Sequence, residues 1–237
     1  MTKVWNSLWD NYKNIPTEQI MNEPAGKTQR EEFAELLMNH FDLKGKTILE
    51  VGTGTGQYSI ELAKHGAICT GIDLEQGSID VANRIGKDCN TTAVFSKADL
   101  FDLSVRSHYH IVFSMGTVEH FTKQEIIDMF RKMRKIADYV VVGVPYSGSH
   151  AYMFAKEISM AMDTWEYGVE NDFWTLSDLF EASEIEMIEE KTIGLVSEAM
   201  YLKRVNHTLI PVQIAINEQK KKAGKPFGSW LIAVGRS

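Results

Sequence analysis

The segment TILEVGTGTG, residues 47–56, constrains this chain more than any other. TILEV reads as a buried strand, and glycines then follow at alternate positions, Gly52, Gly54 and Gly56. Glycine turns the backbone tightly and lets a ligand approach without a Cβ in the way. Residues 57–65 read as a helix, closed by Gly66 as a C-terminal cap with His65 favourable to the helix dipole. The start of such a helix offers unpaired N–H groups beside the turn. The segment therefore predicts a ligand loop at the tip of a strand.

The same alternation continues along the chain. Residues 67–73, 92–98 and 109–115 read as strands, and 78–85 and 125–136 as helices, the latter with Ile126, Phe130 and Met133 on one stripe. Residues 139–144, YVVVGV, are a β-branched run without polar alternation, as expected for a strand covered on both faces, and Pro145 ends it. Strands alternating with helices imply a parallel sheet wound on both faces. Upstream, residues 31–41 are helical by the spacing of Phe33, Leu36, Leu37 and Phe41, and Lys44-Gly45-Lys46 breaks that helix. After Pro145 the rhythm changes. Residues 150–163 look helical, 176–182 form a short helix and 185–192 a strand. Residues 193–225 are an irregular, partly helical excursion, and 230–235 a last strand. Insertions at the carboxyl ends of strands commonly build a pocket.

Composition narrows the function classes. The chain has 237 residues, 44% hydrophobic and 24% charged, which suits one globular α/β domain that needs no disulfide or metal to hold its core. A net charge of −7 gives no overall attraction for polyphosphate, which counts against nucleic acid as the main partner. Cys69 and Cys89 form no CxxC pair and have no His at ligand spacing, so no metal site is expected. Two free thiols suit a reducing compartment. Residues 1–14 lack the apolar core of a signal peptide, and no stretch approaches the roughly 18 apolar residues of a membrane span. The expectation is a soluble, cytoplasmic protein.

The loop is not a dinucleotide fingerprint, because GxGxxG would need glycine where Gln57 stands. Glu50, two positions before Gly52, is a poor neighbour for a pyrophosphate and a good one for an ammonium group. Asp73 ends the second strand, where a carboxylate can accept hydrogen bonds from both ribose hydroxyls. Asp99 ends the third, and suits an exocyclic adenine amine. A lone strand-end Asp is more often a cap or turn residue, but three acids in series with a GxGxG loop form a pattern.

At these residues the sequence resembles the class I S-adenosylmethionine-dependent methyltransferases. Glu50 to Gly56 looks like their first motif, Asp73 matches their ribose-binding acid, and Ala98-Asp99-Leu100 matches their adenine-binding turn. Ser114-Met-Gly-Thr-Val-Glu-His-Phe121 looks like the fourth-strand motif of the "type 11" small-molecule subgroup. The resemblance covers residues 46–145 well. It implies a Rossmann-like, doubly wound, seven-stranded, mainly parallel sheet with an antiparallel last strand and helical cap insertions. It also implies S-adenosylmethionine as cofactor, held by Glu50, Gly52, Thr53, Gly54, Gly56, Asp73, Leu74, Asp99, Leu100 and Met115. Residues 1–44 would be a helical lid, 45–145 the cofactor core, and 146–237 the substrate cap with the C-terminal strands.

Methyl transfer from a sulfonium needs positioning and exclusion of water more than it needs catalytic groups. A general base matters where the acceptor must lose a proton. His120, beside Glu119 after the fourth strand, is the candidate base and a substrate contact; its competing role is to orient the loop. Trp5, Trp9 and Tyr12 fall on one helical stripe, which suits packing on the core and, in the resembling family, closure over the cofactor. Trp9 is then a substrate contact and Tyr12 a cofactor contact. Tyr146, Tyr152 and Trp165 belong to an aromatic and Met-rich stretch that suits a substrate wall, with Glu170 and Asp172 as polar anchors. The reading is methyl transfer to a small molecule. The alternatives are a methyltransferase acting on RNA or protein and a non-catalytic S-adenosylmethionine-binding protein. Exposed cap aromatics would serve a homodimer as well as a substrate.

Overall fold

The computed structural model describes the backbone of residues 2–104, 107–204 and 206–237, and the side chains of the same set apart from those of 2–7 and 204. The Trp5 side chain lies outside the described residues. The strands are β1 (Thr47–Val51), β2 (Ile68–Asp73), β3 (Val94–Lys97), β4 (Tyr109–Met115), β5 (Ala137–Pro145), β6 (Glu186–Ile193) and β7 (Trp230–Arg236). They form one seven-stranded sheet in the order β3-β2-β1-β4-β5-β7-β6. The β1 to β5 pairings are parallel, and β7 runs antiparallel to both β5 and β6. The antiparallel last strand and the seven-stranded count match the sequence expectation.

The sheet interior explains the unbroken apolar runs. Along β4, Ile111, Phe113 and Met115 face one layer of core and Val112 faces the other. Along β5, Val140, Val142 and Val144 join the second layer while Val141 joins the first. A strand buried on both faces has no polar side to display. The first layer is filled from α3 (Pro24–His40), where Phe33 meets Phe113 at 5.3 Å between ring centres. The second is filled from α6 (Lys123–Ile136), where Phe130 meets Phe180 edge-on at 5.5 Å. Burying each such ring contributes about 1.5–3 kcal/mol.

Helix ends follow their local chemistry. Gly66 leaves α4 (Gln57–Lys64) at φ 86°, the left-handed turn expected of it. α6 begins with a capping box, in which the Thr122 hydroxyl accepts from the Glu125 N–H and Glu125 accepts from the Thr122 N–H. α5 (Gln76–Asp88) runs further at both ends than the periodicity predicts. Residues 193–225 are more ordered than their sequence suggests. They hold α9 (Leu195–Tyr201) and α10 (Ile210–Lys222), fixed by buried polar groups. The Glu32 carboxylate of α3 accepts from the N–H groups of Gly194 and Leu195, and Asn217 of α10 donates to the Leu195 carbonyl at 3.0 Å. Helices α1 (Thr2–Lys13) and α2 (Thr17–Met21) lie at the start of the chain, and Arg84 of α5 ties α1 down by donating to the Tyr12 carbonyl at 2.9 Å. The cap also contains α7 (His150–Ala161) and α8 (Ser177–Ala182). None of the described helices is long and apolar enough to cross a membrane.

Candidate functional site

The sheet order reverses between β1 and β4, and a crevice opens there at the carboxyl ends of the strands. From Val51 the chain turns through Gly52 and Gly54, at φ 73° and 53°. A Cβ on Gly52 would run into the Thr117 side chain, and one on Gly54 would come within 3.3 Å of the Trp9 ring. The loop is strapped to β2 by the N–H groups of Gly52 and Thr53, both 2.9 Å from the Ile72 carbonyl. Asp73 continues the strap. Its two carboxylate oxygens accept from the N–H groups of Gly54 and Glu75, each at 3.0 Å. The acid at this strand tip thus sets the loop and lines the crevice.

Glu50 lies beneath the loop and is almost fully buried. Its Oε2 accepts from the Ser59 hydroxyl at 2.6 Å, the Thr53 hydroxyl at 2.8 Å and the Ser59 N–H at 3.3 Å. Burial pushes this carboxyl up to about 7, against the pull of those hydrogen bonds. Asp99 caps the short turn Leu100–Asp102 by accepting from the Phe101 N–H at 2.8 Å, and also lines the crevice. The cap reading of that residue holds. Together these groups bound a cleft of about 430 Å³, with Met115, Thr117 and Leu74 among its walls.

A second cavity of about 230 Å³ adjoins the first. Trp9, Gly116 and His120 line both. Beyond that shared wall the second cavity is aromatic and acidic. Tyr152 stands edge-on to Trp165 and Tyr201, and its hydroxyl donates to Glu170 at 2.5 Å. The Lys156 ammonium sits 2.9 Å from Glu170 and 5.7 Å above the Trp165 ring. The His120 ring places Nδ1 3.0 Å from the Val169 carbonyl and Nε2 3.8 Å from Glu119 Oε1. Donation from Nδ1 to that carbonyl leaves Nε2 facing Glu119. Glu119 is buried, and its Oε2 has no hydrogen-bond partner among the described residues. Burial pushes its carboxyl up to about 8; Glu170 adds to the shift and Lys156 opposes it.

The structure gathers most of the expected site residues around these two cavities. Glu50, Gly52, Thr53, Gly54, Asp73, Leu74, Asp99, Leu100 and Met115 line the first cleft. Trp9, His120, Tyr152 and Trp165 line the second. Tyr12 also lines the second cavity and not the first. Gly56 lines neither. A Cβ there would come 2.6 Å from the Phe95 ring, so its glycine serves packing beneath the start of α4. Tyr146 lines neither; its ring packs against the second core layer and meets Trp174 edge-on at 6.2 Å. Sequence reasoning passed over Glu119, Tyr201 and Trp230 in the second cavity. Only the adjacency of Glu119 to His120 signalled any of them. The groups Glu119, His120 and Glu170 bring one ligand atom each within 4.8 Å of one another, a juxtaposition that no sequence spacing reveals. A larger groove of about 870 Å³ lies at the amino ends of β4 and β5. Its histidines are engaged, His40 with Glu189, His108 with Asp138 and His110 with Lys46, and it has no glycine loop.

Residues 48–138 match the family model described as a methyltransferase domain. The ubiquinone biosynthesis O-methyltransferase of Coxiella burnetii is 38% identical over 79 residues, which are 33% of this chain and 34% of that protein. The cypemycin N-terminal methyltransferase of a Streptomyces species is 31% identical over 105 residues, 44% of this chain and 42% of its own. The chain spans about a third of the length of the first curated relatives it matches. Among solved structures, magnesium protoporphyrin IX methyltransferase from Synechocystis PCC 6803 with bound SAH superposes with a TM-score of 0.62 at 15% identity, covering 90% of this chain and 84% of that one. That likeness shows a shared fold.

Proposed function

We propose that this chain, which carries a methyltransferase domain on the class I S-adenosylmethionine-dependent methyltransferase fold, transfers a methyl group from S-adenosylmethionine to a small-molecule acceptor. The observation that carries this reading is the pair of adjoining cavities, one with the three acids and the glycine turn, the other aromatic, sharing Trp9, Gly116 and His120. The cofactor fits the first on the chemistry of its donors. Asp73 would accept from the ribose hydroxyls. Asp99 and Leu100 would hold adenine, and Glu50 would attract the ammonium end. Gly52 and Gly54 leave room for the ligand beside the backbone. When bound, S-adenosylmethionine supplies an electrophilic methyl group and leaves as S-adenosylhomocysteine.

The protein's own residues supply the rest. Trp9, Met115 and the walls around them exclude water, and the small second cavity orients an acceptor against the shared wall. Its volume of about 230 Å³ favours a small acceptor over a macromolecular segment. His120 stands at the shared wall and is the group we assign to orient the acceptor and steer its proton. We place the protein in the cytoplasm, because Cys69 and Cys89 are free thiols and the described helices give no membrane span.

Asp73→Ala tests the cofactor assignment. Losing charge-assisted hydrogen bonds costs about 1.5–3 kcal/mol, roughly ten- to a hundredfold in S-adenosylhomocysteine affinity by calorimetry. Asp73→Asn keeps an acceptor oxygen for one of the two backbone N–H groups and removes the charge, so it is expected to lose less affinity than Asp73→Ala. Unchanged affinity in both variants contradicts the assignment.

A further inference from the structure

The second cavity has a charge pattern that the proposed reaction does not by itself require. Its lining includes two acids, Glu119 and Glu170, and the Lys156 ammonium stands 2.9 Å from Glu170. Lys156 and the Tyr152 hydroxyl both engage Glu170. Glu119 has His120 Nε2 at 3.8 Å, and its Oε2 is buried and without a hydrogen-bond partner among the described residues. A buried carboxylate oxygen left that way is costly unless a donor comes to it. With both acids ionised the cavity is one positive charge short.

The aromatic walls supply the second observation. Ring faces attract cations, most strongly when water is excluded. One of its rings already meets an ammonium in that manner, since Lys156 lies 5.7 Å above Trp165. Tyr12, Tyr152 and Trp230 extend the same aromatic surface around the cavity. Rings and an unsatisfied acid together fit a small organic cation that carries N–H donors. They fit an anion poorly, and a neutral hydroxyl uses only part of what is offered.

Resting on the methyl-transfer reading, we infer that the acceptor is a small primary or secondary amine, bound as its ammonium in the aromatic cavity and deprotonated there by Glu119. An N–H bond of the ammonium breaks, its electron pair stays on nitrogen, and the proton forms an O–H bond on Glu119. The lone pair so exposed is the nucleophile that methyl transfer needs. The groups facing Glu119 are His120 on its own turn and, from the cap, Glu170 and Lys156. An incoming cation takes the place of the missing counter-charge and so holds Glu119 ionised until the proton is passed.

The test is calorimetric titration of the S-adenosylhomocysteine-loaded protein with three probes of similar shape: benzylamine, benzyl alcohol and benzoate. Benzylamine is expected to bind about tenfold or more tightly than benzyl alcohol, with benzoate weakest. In Glu119→Gln that preference falls to within about threefold, while affinity for S-adenosylhomocysteine is retained, because Glu119 lies outside the first cleft. Trp165→Leu is the second variant, and it weakens benzylamine about fivefold more than benzyl alcohol. Benzyl alcohol or benzoate binding as tightly as benzylamine overturns the inference. So does the absence of benzylamine binding at about 10 mM, or a preference unaltered in both variants. Failure of S-adenosylhomocysteine itself to bind strikes the underlying methyl-transfer reading instead, and the amine inference falls with it.

Discussion

Glu50 titrates near 4.5 when unfolded, whereas burial moves it to about 7 in the folded chain. Between those values the folded protein holds a proton that the unfolded chain has released. This acid's contribution is therefore fully present below about pH 4.5 and declines as pH rises to about 7, by at most about 1.4 kcal/mol per unit. Glu50→Gln removes that decline and is expected to gain on the order of 3 kcal/mol over the parent above pH 7. Urea unfolding of both proteins at pH 5 and pH 8 checks it; a parent-to-variant difference that does not change with pH contradicts it. A penalty retained at this position fits a carboxylate kept for a charged ligand. Residues of this kind were legible in the sequence because their neighbours are local: Glu50 takes its partners from Thr53 and Ser59, and Asp73 from the turn that follows it and the loop beside it. Glu119 was not, because its surroundings come from residues 152–170, folded back over the fourth strand. Tyr146 shows the converse. Its position beyond β5 suits a pocket, yet its ring packs against the core and Trp174.

At the scale of elements, the regular first half follows from period and punctuation. β1 and β4 begin and end where their sequence predicts. The excursion between β6 and β7 does not, because α9 and α10 depend on distant buried polar groups and not on an amphipathic stripe. Glu198 of α9 is the clearest of these. It is buried, and its two oxygens accept from the Ser149 hydroxyl at the start of α7 and from the Gly228 N–H ahead of β7, each at 2.9 Å. Glu198→Ala leaves two buried donors without acceptors and is expected to cost about 2–4 kcal/mol by urea unfolding, with Glu198→Gln costing less. A loss below about 0.5 kcal/mol, as for an ordinary surface change, contradicts this account of how the cap is held.

At the scale of the whole molecule, the sheet reversal between β1 and β4 places the glycine turn, the acid tips and the fourth-strand loop around one crevice. The N-terminal helix and the insertion after β5 then enclose the adjoining cavity, through Trp9 and Tyr12 on one side and Tyr152 and Trp165 on the other. The acids and glycines that line the first cavity could be read from the sequence. The second could be read only as an aromatic tendency, since its walls come from segments far apart in the chain. The central claim is that the first cavity takes a sulfur nucleoside and not a dinucleotide. Calorimetric titration of the purified protein with S-adenosylmethionine, S-adenosylhomocysteine and NAD(H) tests it most directly. Both sulfur nucleosides are expected to bind at about micromolar affinity, near −8 kcal/mol, and NAD(H) not to bind. Binding of NAD(H) alone would contradict it.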